Sequence, residues 1–113
     1  MLSAFQLVDL LLEVVQVKCT FERSYGAAYV KLDPYMRKQI SKRAKAWMQD
    51  PWNTAFDLKA VTRSPGYWRV DAGHGFRAVG KRTASSEFCW IWVGPHQEYV
   101  RYVKKLKVVK SFY

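Results

Sequence analysis

Acidic residues are scarce in this chain: 9 Asp and Glu stand against 19 Lys and Arg, a formal net charge of +10 over 113 residues. That imbalance points to an anionic partner, whether nucleic acid, acidic protein or lipid surface, without choosing among them. Cysteine is nearly absent too. Cys19 and Cys89 are too few for a disulfide scaffold, and both sit in apolar, strand-like stretches where a small core residue is expected. With only His74 and His96 besides, the chain has no zinc-type spacing, and it contains no P-loop, GxGxxG or HExxH. No metal or cofactor is therefore expected. The apolar opening "MLSAFQLVDLLLEVVQV" lacks a basic leader and is interrupted by Asp9 and Glu13. It reads neither as a signal peptide nor as a membrane span, which needs about 20 mostly apolar residues. A reduced, cytoplasmic protein with no membrane association is expected.

What is present is a single domain's worth of chain, 1–113, half of it apolar or aromatic and so well able to fold. Residues 1–14 hold an N-terminal helix, with Phe5, Val8, Leu11 and Leu12 opposite Gln6, Asp9 and Glu13. A β-branched stretch, 14–21, reads as a strand and 24–32 as a short helix. Asp33-Pro34 then caps a second helix to residue 48, with Met36, Ile40, Ala44 and Trp47 on one face and Arg37, Lys38, Lys42, Arg43 and Lys45 on the other. From residue 54 strands take over: "TAFDLKAV", "GYWRVDAG", "GFRAVGK" after a Gly73-His74-Gly75 turn, a polar loop "KRTASSE", and "FCWIWVG", the most apolar and so the expected centre of the sheet. The tail from His96 starts as a helix. This order predicts an α+β domain: an antiparallel sheet, its last three strands a meander, with two or three N-terminal helices on one side and a short C-terminal helix.

The candidate chemistry lies in the strands. Arg69 points away from Trp68 and Val70, Arg77 lies between Phe76 and Ala78, Lys59 precedes an apolar pair and Arg63 opens a loop. Adjacent strands would gather these cations on one concave face, where few acids, Asp57 and Asp71, are at hand to pair with them; a phosphodiester would be a natural counterion. The ordinary alternative is a set of solvated strand-edge cations. His96, which follows the apolar strand, can exchange a proton near neutral pH, and Tyr99 would need cationic neighbours to act as a base. Capping and packing are their simpler roles. Lys42 and Arg43 belong to a basic helix face that is either merely solvated or a ridge along a nucleic-acid backbone.

The stretch "LKAVTRSPGYWRVDAGHGFRAVGKRTASSEFCWIWVGPHQEYVR" resembles the C-terminal half of the RelE/ParE superfamily of bacterial toxins, closest to the branch with W-x-W-x-G-x-H-x-E-Y. The resemblance implies a RelE-like fold and a toxin of a type II toxin–antitoxin system, held inactive by a cognate antitoxin, in some cases in a higher-order complex. It implies a metal-independent endoribonuclease that cuts translated mRNA on the ribosome through attack of the 2′-hydroxyl on the adjacent phosphate. Position by position, it assigns Arg77, Arg69, His96 and Tyr99 to catalysis, with Tyr102 a rival for the tyrosine, and Lys59 and Arg63 to the substrate. The N-terminal helix is not usual in the family, and the site is sparse in lysine. The sparse lysine keeps a ParE-like, non-catalytic DNA gyrase inhibitor open as an alternative, and a basic nucleic-acid-binding module with no toxicity is a third reading.

Overall fold

The computed structural model describes residues 17–106; the expected helix over 1–14 and the basic tail past 106 lie outside the described residues. The elements run β1 (Lys18–Phe21), α1 (Arg23–Tyr29), α2 (Pro34–Gln49), a 3-10 turn (Thr54–Phe56), β2 (Lys59–Ala60), β3 (Tyr67–Gly73), β4 (Phe76–Ala84), β5 (Glu87–Pro95) and α3 (His96–Lys104). They build one five-stranded sheet in the order β1-β5-β4-β3-β2. The α+β class and the β3–β4–β5 meander are as the sequence predicts.

Three details differ. The sheet is mixed, because β1 pairs with β5 in parallel. The chain leaves β1 through both helices and enters the sheet again at its opposite edge, and the meander then delivers β5 running the same way as β1. The strand expected over 54–61 shrinks to Lys59–Ala60, the residues before it being taken by the 3-10 turn that Asn53 caps. The "polar loop" is mostly strand, with β4 continuing to Ala84, and by the strand order the sheet's middle strand is this β4, with β5 beside it.

Local sequence explains the helices. The Asp33 carboxylate accepts from the Met36 amide (2.9 Å) and Pro34 stands in the first turn, the cap expected for α2. Its i, i+7 residues Ile40 and Trp47 are buried against the sheet, where Trp47 meets Phe88 and Trp90 edge-on at 5.2 and 5.1 Å. Each such aromatic pair contributes about 1 kcal/mol beyond its buried area. α1 is tied down by two hydroxyls: Ser24 Oγ donates to the Ile91 carbonyl (2.7 Å), and the Tyr29 hydroxyl lies 2.6 Å from Ser41 Oγ on α2.

The opposite face of the sheet carries a second, smaller core of Val61, Tyr67, Val79 and Ile91, on which α3 packs Tyr99, Tyr102 and Val103. A β-bulge makes this possible. Val79 pairs with Trp92 and Gly80 with Trp90, so Ile91 is an extra residue in β5. Without it Trp90 and Trp92 would share a face. With it Trp90 enters the α1–α2 core and Trp92 turns to the α3 side, where it stacks on Tyr102 at 4.7 Å.

Candidate functional site

Alternation along β3 and β4 gives the α3 face Arg69 and Asp71 from one strand and Arg77 and Val79 from the next. Arg77 stands opposite both Asp71 and Gly94, and Arg69 opposite both Lys59 and Val79. α3 begins directly after β5, and its His96 amide donates to the Gly75 carbonyl (2.9 Å), fixing the helix start against the β3–β4 turn. That turn is tight, with His74 and Gly75 at φ +52 and +78, the type I′ pattern in which glycine is at ease. The imidazole of His96 stacks on the Tyr99 ring, centroids 5.8 Å apart, and the Tyr99 phenol feels the charges of both Arg69 and Arg77. Thus Arg69, Arg77, His96 and Tyr99 converge on one face.

The cations there are already compensated. Asp57 holds Lys59 at 3.0 Å and Arg69 at 3.2 Å. Asp71 lies 3.7 Å from Arg77 and 3.8 Å from Arg43, and its carboxylate also accepts from the Gly73 amide (2.7 Å). Lys59 and Arg69, in that order, hold the Asp57 carboxyl below the usual carboxylate range. One donor is left over: Arg77 Nε is buried and has no partner. Arg37 Nε, Trp47 Nε1 and Arg82 Nε, away from the cluster, are in the same condition among the described residues.

Tyr99 is half-buried between α3 and the sheet. Burial raises its phenol above the ordinary tyrosine value and outweighs the opposing pull of Arg69 and Arg77. Tyr102 is the packing tyrosine: its ring is half-buried on Trp92 and its phenol is pushed up to about 12 by burial first, then by Tyr67 and Glu22.

The remaining predicted residues touch the four only at the margins: Lys59 through Asp57 and Arg43 through Asp71. Arg63 is exposed on the β2–β3 loop and faces α3 across a groove it shares with Tyr99 and Lys104. Arg43 spans α2 and β3: Nε donates to the Asp71 carbonyl (3.0 Å), a terminal nitrogen donates to Ala55 O (2.7 Å), and the guanidinium rests 5.0 Å over Phe56. That is a structural clamp on the hairpin. Lys42, exposed on α2, belongs to the helix packed on the other face of the sheet. Cys89 is half-buried on β5 and is not part of the cluster. Among the described residues no three His, Cys, Asp or Glu side chains converge, and no helix is long and apolar enough to cross a membrane. The sequence did not single out Lys104 or Val100 and Val103 of α3, which line the same groove as Arg63 and Tyr99.

No protein-family model matches the chain, and no curated protein matches it in sequence. Solved structures match it in fold. The toxin–antitoxin complex RelBE2 from Mycobacterium tuberculosis aligns with a TM-score of 0.60 at 14% identity, over 72% of this chain and 92% of that one. The isolated RelE toxin of E. coli gives 0.53 at 19%, over 79% and 97%. A YoeB/ParE toxin from Agrobacterium tumefaciens gives 0.54 at 16%, over 71% and 99%. The chain therefore has the RelE-like α+β fold. Its likeness spans nearly the whole of these toxin domains.

Proposed function

We propose that this chain is the toxin of a type II toxin–antitoxin pair and a metal-independent endonuclease of translated mRNA. The observation that carries the reading is the meeting of Arg69, Arg77, His96 and Tyr99 on one face of a RelE-like sheet, beside a buried Arg77 Nε with no partner. In this reading Arg77 and Arg69 grip the scissile phosphate and stabilise the charge that grows on it when the neighbouring 2′-hydroxyl attacks. His96 takes the proton of that hydroxyl. Tyr99 gives a proton to the departing 5′-oxygen. A cognate antitoxin, as in the RelB–RelE complexes of similar fold, would be the natural restraint, and its acidic groups would meet a chain of net charge +10.

A second reading has one observation in its favour. Both sheet arginines already have carboxylate partners, Asp57 and Asp71, and Lys59 is spent on the same Asp57. A site so compensated suits a ParE-like inhibitor that binds DNA gyrase and cuts nothing. Primer extension on cellular mRNA after brief induction separates the two. New cuts in translated regions, weakened about 100-fold in Arg77→Ala, are expected from the loss of one preorganised donor. Growth arrest with intact mRNA would sink the nuclease reading and favour gyrase.

A further inference from the structure

Between the β2–β3 loop and α3 runs a groove of ≈ 480 Å³, lined by Val61, Val100 and Val103 together with Arg63, Lys104 and the Tyr99 ring. We propose that this groove is a nucleotide subsite: it takes the base of a residue flanking the scissile phosphate, with Arg63 and Lys104 on the phosphate attached to it. The inference rests on the nuclease reading above and extends it from a phosphate site to a strand track.

Four observations carry it. The groove is continuous with the cation cluster, because Tyr99 belongs to both: it stacks on His96, feels Arg69 and Arg77, and walls the groove. Its lining is chemically two-part, three apolar valines and two cations, and among the described residues no carboxylate lines it. This contrasts with the cluster itself, where every cation has an acid beside it. A flat apolar ligand bearing a negative charge fits that division, and a nucleotide is such a ligand. The volume suits it as well, since small-ligand sites run from about 300 to 1,000 Å³. Finally, the wall that carries Arg63 is already rigid. The loop closes on itself through Val61 N to Tyr67 O (2.9 Å) and Tyr67 N to Ser64 O (3.1 Å), and Ser64 is buried. Val100, by contrast, stands 40% exposed with nothing in this chain's described residues covering it.

The test is methyl and amide NMR on the full chain with a hexaribonucleotide whose 2′-hydroxyls are all O-methylated and so cannot attack, and with the same strand carrying one abasic position at a time. The expected result is that the intact strand shifts the methyls of Val61, Val100 and Val103. One abasic position should abolish those shifts and weaken binding about tenfold, the scale of losing one stacked base. Arg63→Ala should lower the slope of log affinity against log salt by about 1. Val100→Asp, at an exposed position, should remove the valine shifts while those around Arg69 and Arg77 persist. Shifts at Arg69 and Arg77 with silent valines would overturn the subsite, leave the nuclease reading standing, and free the groove for a protein partner. Shifts at the valines that are the same with every abasic strand would overturn base recognition. No shift at either place would overturn the subsite, while the cellular cuts decide the nuclease reading independently.

Discussion

Trp92 and Tyr102 stack nearly parallel, 12° apart, and this pair joins β5 to α3. Every site residue contributed by α3 therefore depends on a contact outside the site. Tyr102→Ala should remove about 2 kcal/mol from a half-buried aromatic contact and loosen α3 selectively. Urea unfolding should give the loss, and amide exchange should speed up in 97–104 while Val79 and Val93 stay protected. Uniform exchange across sheet and helix would argue that the pair carries no special attachment.

Gly94 is the counterpart of that stack. A Cβ at Gly94 would collide with the Trp92 ring, so the ring can lie over β5 only where there is no side chain beneath it. Gly94→Ala should cost about 1–3 kcal/mol through overpacking. It should also shift the Tyr102 ring resonances, because Trp92 must move. Gly75→Ala tests a different constraint: nothing crowds that position, yet its φ of +78 strains any L residue. A thermal melt in which Gly94→Ala is as stable as wild type would contradict the packing argument.

The parts of the fold that follow from local chemistry are legible in the sequence. Asp33-Pro34 announces its cap, the Ile40 and Trp47 spacing announces the buried face of α2, and Gly73-His74-Gly75 announces the β3–β4 turn. What is not legible depends on register. Strict alternation over "FCWIWVG" puts Trp90 and Trp92 together, and only the extra residue at Ile91 separates them. The parallel pairing of β1 and the reach of β4 through Ala84 are likewise set by distant partners. For the site, alternation correctly gives Arg69 and Arg77 one face. It cannot reveal that Asp57 and Asp71 sit on those arginines, or that burial outweighs cations at Tyr99, since both are properties of packed neighbours.

Asp57 tests the balance at the site. It is a non-glycine residue at φ +49, a conformation that asparagine also tolerates, so Asp57→Asn should keep the backbone while releasing Lys59 and Arg69. On the nuclease reading, RNA binding should become more salt-sensitive, with the slope of log affinity against log salt steeper by about 1, and cleavage should fall as Arg69 loses its anchor. The stability effect has a defined sign. A carboxyl held below its unfolded value stabilises the folded chain above that value, and the gain fades as pH falls through the folded pKa. The variant should therefore be less stable than wild type at pH 7 and equal to it in acid. Fluorescence anisotropy across a salt series and urea melts at two pH values would check both; an unchanged salt slope would show that the cations were free already.

At the alkaline end the sign reverses. Burial pushes the phenols of Tyr25 and Tyr102 up to about 12, helped by Tyr29 beside the first and by Tyr67 and Glu22 beside the second. In the unfolded chain both ionise near about 10. Between those values the unfolded chain releases protons that the folded chain keeps, so stability falls as pH rises from about 10 to about 12. Below about 10 both states hold the protons and the two phenols add no slope. Replacing both by phenylalanine keeps the rings, including the stacks on Tyr29 and Trp92, and removes the ionisation. Urea midpoints measured at pH 9 and pH 11 should drop sharply in wild type and much less in the double variant, with tyrosinate absorbance rising as the chain unfolds. An equal drop in both proteins would place the alkaline sensitivity outside these two phenols.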